Sequence, residues 1–262
     1  MCTVVTLFRP GHRWPLILGA NRDEAVTRPW RPPARHWPDR PDVVAGLDEL
    51  AGGTWMGLND TGVVACILNR HGTLGPQAGK RSRGELVLEA LDHADAAAAA
   101  EALAHVDPAA YRPFNMVIAD NATAWWLALR QDSRSVAAEP IPAGLSMFTA
   151  GDRNDMAERR IAAFLPRFAA AEVPDPEAGR WQPWSDLLGR RAATETPYHG
   201  MTFMLDNGFG TSSSSLLAVP SAQAAHDDGL APVWRFAAGP PDSAPFRPID
   251  LTAPTTRKLS TA

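Results

Sequence analysis

Apolar and β-branched residues are nearly continuous over residues 2–8 (CTVVTLF), give way to a polar stretch at 9–14, and return at 15–20 (PLILGA). Short runs of this kind between polar breaks predict buried strands. The second run ends on Asn21-Arg22-Asp23-Glu24, so a hairpin would bring four polar residues back beside Cys2. Residues 53–59 (GTWMGLN) and 62–69 (GVVACILN) form a further pair around Asn59-Asp60-Thr61-Gly62, whose Asn, Asp and Gly are hairpin-turn residues. That pair ends on Asn69. A lone amide at the end of an apolar strand suits an oxyanion donor or an anchor for a substrate amide.

The remaining pattern predicts mostly scaffold. Prolines across residues 27–41 (TRPWRPPARHWPDRP) forbid a helix or a central strand there. The expectation is an ordered loop or flap, with Trp30 and Trp37 either forming a lid or simply packing. Residues 85–93 and 94–105 predict two helices on the outside of a sheet, Ser82 capping the first. Residues 114–120 and 123–129 predict a hairpin about Asp120-Asn121. Residues 155–168 predict a helix with Met156, Ile161, Phe164, Leu165 and Phe168 on one face. A short helix at 181–191 and strands at 214–219 and 233–237 follow, and the proline-rich tail from Gly239 is expected to be irregular.

Composition narrows the function. The 262 residues, 45% hydrophobic, can fill a sizeable core. A formal net charge of −4 argues against a nucleic-acid surface. No apolar run approaches the roughly 18 residues of a membrane span, and the polar break after residue 8 argues against a signal peptide, so a cytoplasmic location is expected. Cys2 and Cys66 provide no disulfide framework. The seven histidines are scattered without metal-ligand spacing, so neither metal nor cofactor is expected. Gly52-Gly53 and Gly208-Phe209-Gly210 lack a phosphate-loop context, and no Gly-x-Ser-x-Gly elbow surrounds Ser212 to Ser215. Cys66, inside GVVACIL, reads as a buried apolar thiol. The expected partner is a small-molecule substrate or ligand, with the oligomeric state open.

Cys2 carries the chemistry. Removal of Met1 by methionine aminopeptidase, which acts before small side chains, would place a thiol and a free α-amine on one residue. The amine titrates at roughly 7.7 to 8.0 and the thiol at about 8.5, so the amine can take the thiol proton without a histidine. N-terminal threonine nucleophiles work by the same logic.

Several ordered motifs carry a family resemblance. They are Met1-Cys2-Thr3, the Asn21-Arg22-Asp23-Glu24 tetrad, Gly52-Gly53-Thr54-Trp55-Met56-Gly57 running on through Leu58-Asn59-Asp60-Thr61-Gly62, Leu68-Asn69-Arg70, Ser82-Arg83-Gly84-Glu85-Leu86 and Pro113-Phe114-Asn115-Met116. Together they resemble the NRDE family, the transport and Golgi organisation 2 group. The resemblance implies an α+β fold, a four-layer αββα sandwich of the N-terminal-nucleophile (Ntn) hydrolase type, formed as one domain over residues 2–262. It also implies similarity to the bile salt hydrolase and penicillin V acylase group. By the same resemblance Cys2 falls on the nucleophile, Asp23 on the aspartate that holds amine and thiol in register, and Asn69 on the substrate-facing asparagine. Arg22, Asn21 and Trp55 are the expected substrate-binding residues. On this reading Asp23→Asn removes charge and reactivity with little loss of stability. Three positions depart from the acylase pattern: Ala20 and Ser212 stand where arginines would, and Met147 where an asparagine would.

Two function classes follow. One is an N-terminal-cysteine amidohydrolase acting on a linear, non-peptide C–N bond. The other is a non-catalytic carrier of haem, lipid or acyl-CoA using the same pocket, since family members are connected with such handling. Intact Cys2 and Asp23 favour the first, and the three departures favour the second.

Overall fold

The computed structural model describes residues 2–193 and 196–252. Strands β1 (Thr3–Phe8) and β2 (Leu16–Ala25) form the expected first hairpin, paired from Phe8 against Leu16 to Thr3 against Asn21. Strands β3 (Trp30–Ala34), β4 (Val43–Asp48), β5 (Met56–Asn59) and β6 (Val64–Asn69) follow, then helices α1 (Gly84–Leu91) and α2 (Ala96–Ala104). Next come β7 (Phe114–Ala119), β8 (Ala124–Leu129), β9 (Ala137–Pro140) and β10 (Gly144–Phe148). The chain continues through α3 (Arg159–Ala170), α4 (Gln182–Leu188), β11 (Phe209–Val219), α5 (Ala222–Asp228), β12 (Val233–Ala237) and β13 (Arg247–Pro248).

The strands form two antiparallel sheets, ordered β10-β1-β2-β11-β12-β13 and β3-β4-β5-β6-β7-β8-β9. Alternation along each strand gives every sheet two apolar faces. Val4, Phe8, Leu16 and Leu18 of the first sheet meet Val44, Met56, Leu68 and Trp126 of the second in the central layer. Val5, Ile17 and Leu216 point the other way, onto Ile161 and Phe164 of α3 and Trp184 and Leu188 of α4. Ala65, Met116 and Leu127 pack on Leu86, Leu91 and Leu103 of α1 and α2. The result is the four-layer αββα sandwich of the Ntn-hydrolase type.

Several elements differ from the sequence reading, each for a visible reason. β2 runs through the polar tetrad because β11 accompanies it from Val219 opposite Leu16 to Phe209 opposite Ala25. Residues 30–34 are an edge strand rather than a loop, and Pro32 and Pro33 are tolerated where the pairing is irregular between Arg31 and Ala34. Trp30 packs edge-on against Trp55 and Phe236, each at 5.8 Å, while the Trp37 indole donates to the Gly52 carbonyl at 3.1 Å. Both tryptophans are packing residues.

Helix α3 begins at Arg159, which leaves Met156 exposed instead of on its apolar face. Arg83 occupies the N-cap of α1, and Ser82 Oγ accepts only from Gly84 N, at 3.3 Å. Within the tail from Gly239, Arg247–Pro248 is a short strand on β12, and residues 253–262 lie outside the described residues.

Candidate active site

The first hairpin brings Cys2 against β2. One step beyond the Thr3 and Asn21 pair, Cys2 stands opposite Arg22, half-buried and packed against the central layer. Its thiol donates to the Asp23 carbonyl at 3.6 Å, and the Asp23 N–H donates back to Sγ at 3.4 Å. Burial, and next the Asp23 carboxylate, push the Cys2 thiol above its ordinary range, against weaker downward pulls that include the Asp23 backbone N–H and, smallest, Arg22. Near neutral pH this thiol is held protonated, so nucleophilic attack from it requires a neighbouring base. Cys66 is fully buried in the central layer, and burial alone pushes its thiol up.

The β pleat divides the tetrad. Asn21 and Asp23 share the outer face with Ile17, whereas Arg22 and Glu24 share the inner face with Leu18 and Ala20. The Asp23 carboxylate, with no side-chain exposure, accepts from Thr211 Oγ1 at 2.8 Å and from Arg160 Nη1 at 3.1 Å. Arg160 also donates to Thr3 Oγ1 and the Tyr198 carbonyl, both at 2.8 Å. Through these contacts the pair ties β1, β2, β11 and α3 together around the thiol.

Asn21 does not present its amide to the cavity. Nδ2 donates to the Leu188 and Met201 carbonyls at 3.0 and 2.9 Å, and Oδ1 accepts from Ser214 Oγ at 2.7 Å. The pleat turns position 21 toward α4, so these bonds engage the amide expected to contact a substrate, while the residue still borders a small hollow at Cys2.

Arg22 lies over the Trp55 ring at 4.4 Å, donates to Ser212 Oγ at 3.2 Å and lies 3.7 Å from Glu24. Trp55 fits there because position 46 is glycine: a Cβ on Gly46 would come within 2.3 Å of the indole. Ser212, standing where the acylase pattern has an arginine, is the extra residue where the β2 and β11 register shifts, and its hydroxyl donates back to the Arg22 carbonyl at 3.2 Å.

Besides a small hollow of about 20 Å³ lined by Cys2, Asn21, Arg22 and Trp55, two larger adjoining hollows open at Cys2. One, about 260 Å³, is lined by Cys2, Asp23, Asn69 and His71. The other, about 400 Å³, is lined by Cys2, Arg22, Trp55, Asn69 and the 75–84 segment. Asn69 borders both, and its side-chain amide makes no hydrogen bond among the described residues. A larger hollow of about 1000 Å³ opens between α4 and the end of the first sheet, but none of the candidate residues line it. Among the described residues no group of three or more His, Cys, Asp and Glu side chains gathers as a metal site. No described helix is long and apolar enough to cross a membrane.

Sequence reasoning missed Arg160 and Thr211. Arg160 carried a signal, since it lies four and eight residues before Phe164 and Phe168, on the apolar stripe of α3 where a charge needs a buried partner. Thr211 carried none.

The fold recurs in known structures at low identity. An N-acylethanolamine-hydrolyzing acid amidase ortholog from Caenorhabditis elegans superposes with a TM-score of 0.54 at 13% identity, over 88% of this chain and 98% of that one. A variant of the conjugated bile acid hydrolase from Clostridium perfringens superposes with a TM-score of 0.51 at 11% identity, over 96% of this chain and 98% of that one. Among curated proteins, no sequence matches the chain. The model of the family described as Transport and Golgi organisation 2 matches residues 1–157, and the chain belongs to that family.

Proposed function

We propose that the protein is an N-terminal-cysteine amidohydrolase that cleaves a linear, non-peptide C–N bond of a small molecule. The observation that carries this reading is the seating of Cys2 Sγ between the N–H and carbonyl of Asp23, at the mouth of hollows that also hold Asn69. Burial holds the thiol protonated, so the reading requires a base, and the α-amine of Cys2 supplies one once Met1 is removed. Met1 itself lies outside the described residues. Both superposed structures are named as hydrolases, one of N-acylethanolamines and one of conjugated bile acids, which agrees with amide chemistry on this fold.

In the proposed reaction the amine takes the thiol proton as sulfur attacks the acyl carbon. The Asn69 amide and a backbone N–H receive the developing oxyanion. Collapse breaks the C–N bond and the ammonium proton passes to the leaving nitrogen, giving an acyl thioester and a free amine. Water, deprotonated by the same α-amine, then attacks the thioester, and the returning proton restores the thiol and releases the acid. Asp23, fixed by Arg160 and Thr211, keeps the strand end in place for the thiol, and Arg22 and Trp55 line the substrate side.

The test is release of a fluorescent amine from a panel of N-acyl aminocoumarins by wild-type protein and by Cys2→Ala. Turnover abolished in Cys2→Ala supports the reading. Turnover retained in that variant, or absent from fully processed wild type across a broad acyl panel, contradicts it. The second reading, a carrier of haem or of lipid or acyl-CoA, draws on Ala20, Ser212 and Met147 in place of cationic and amide residues. It predicts ligand binding in the same hollows that survives Cys2→Ala.

A further inference from the structure

The 400 Å³ hollow is electrically lopsided in a way that hydrolysis of a neutral amide does not require. On its β2 and β4 side each charge is matched. Asp23 pairs with Arg160, Glu24 lies against Arg22 and Arg28, and Asp48 accepts from Arg28 Nε at 2.7 Å. On the opposite side Arg81 is paired with Glu85 at 2.6 Å. Lys80, Arg83 and Arg112 are different.

Lys80 donates to the Ala109 carbonyl, and Arg83 to the Thr73 hydroxyl and the Thr73 and Pro113 carbonyls. Arg112 donates to the Gly72, Leu74 and Gly75 carbonyls. None of the three meets a carboxylate among the described residues. Burial, reinforced by the like charge of Arg112, lowers the Arg83 guanidinium to about 10, the mark of a cation short of counter-charge. Neutral oxygens hold these side chains in place without cancelling their charge.

The backbone is built to bring this wall close. A Cβ on Gly53 would lie 2.6 Å from the Gly84 carbonyl carbon, and Thr54 N donates to Gly84 O at 3.1 Å. Glycine against glycine therefore seats the start of α1, with Arg83 just before it, directly on the approach to β5 and Trp55. The Gly52-Gly53-Thr54-Trp55 and Ser82-Arg83-Gly84 motifs thus meet at one place.

We propose that Lys80, Arg83 and Arg112 form a subsite for an oxyanion, carboxylate or phosphate, carried by the substrate whose acyl carbon is presented to Cys2. This deepens the hydrolase reading and rests on it for the position of the reacting carbon. Guanidinium groups suit such oxyanions because their planar donor forks match them.

Two nearly isosteric thiol reagents, anionic iodoacetate and neutral iodoacetamide, test the wall through the ratio of their labelling rates at Cys2. The ratio cancels any general change in thiol reactivity. The expected ratio exceeds that of free cysteine by about tenfold, the scale of local anion enrichment by a charged cleft. It falls toward the free-cysteine value in Arg83→Gln, and also in Lys80→Gln/Arg112→Gln, which spares the Arg83 contacts to Thr73 and Pro113. Pyrophosphate that slows iodoacetate labelling more than succinate identifies a phosphate ligand, and the reverse order a carboxylate. A wild-type ratio equal to that of free cysteine overturns the subsite. So does slowing no greater than that given by potassium chloride at the same ionic strength.

If Cys2 is inert to both reagents the nucleophile reading fails on its own. Calorimetric titration with pyrophosphate and with succinate then reads the wall alone. Binding that is lost in Lys80→Gln/Arg112→Gln upholds the subsite, and no binding to wild type overturns it.

Discussion

The two faces of β2 carry the same tetrad into opposite environments. On the outer face Asn21 and Asp23 are buried among fixed partners, the first tied to α4 and β11 and the second to α3 and β11. On the inner face Arg22 and Glu24 look into the hollow that holds Cys2 and Trp55. A run that reads as one polar cluster is two devices, and the period of two along a strand assigns each residue to its side. The outer pair holds the frame on which the thiol sits. The inner pair borders the hollow with its two charges set against each other.

The sharpest way to break this comparison is Asp23→Asn. Arg160 remains buried and charged after the change, so a loss of about 3 kcal/mol is expected in urea denaturation. The sequence alone suggests a shape-conserving substitution with little effect on stability, and the Arg160 contact reverses that expectation. Adding Arg160→Met should recover part of the loss. A single variant within about 0.5 kcal/mol of wild type would remove the outer-face account.

Asn21→Ala should cost about 2 kcal/mol through three lost buried hydrogen bonds, with Cys2 labelling retained in the folded protein. Labelling lost at unchanged stability would put Asn21 on the ligand side after all. Arg22→Met should do the opposite. Stability changes by less than about 1 kcal/mol, since an apolar side chain can replace a desolvated cation. Removing the nearby positive charge lets the thiol rise further, so iodoacetamide labelling of Cys2 slows severalfold, as timed peptide mapping would record.

The smallest effect concerns Cys66. Its folded thiol is raised by burial, so its contribution to stability is complete below the unfolded value of about 8.5 and fades as pH rises beyond it. Urea midpoints across that range should fall less steeply in Cys66→Ala than in wild type. Equal slopes would mean that this thiol ionises as freely as an exposed one.

Much of this organisation was legible in the sequence. The β1 and β2 hairpin follows from two apolar runs, and the β5 and β6 hairpin from Asn59 to Gly62, where Asn59 Oδ1 accepts from Thr61 and Val63 N–H groups at 3.2 and 2.9 Å and Gly62 takes a φ of 94°. The helical pair α1 and α2 appeared where expected because both are amphipathic and flank turn residues. Other features depend on contacts between distant segments. β3 exists because β4 offers an edge that tolerates prolines, and β4 itself is a short apolar run with no turn signal as clear as Asn59 to Gly62.

At the site, Cys2 and Asp23 are recoverable from position and motif, but Arg160 reaches Asp23 across 137 residues of chain. The wall of Lys80, Arg83 and Arg112 is spread over two segments that local periodicity does not join. Motif spacing indicated which residues gather at the first hairpin more readily than which way each one points.

The most direct test of the central claim is intact-mass measurement on protein from a cytoplasmic host, followed by a brief iodoacetamide pulse near neutral pH and peptide mapping. The account predicts loss of Met1 and labelling of Cys2 well before Cys66. It further predicts that any fraction retaining Met1 labels more slowly, because its thiol lacks the amine. Met1 retained in nearly every molecule, or Cys66 labelled as fast as Cys2, would contradict a nucleophile that carries its own base.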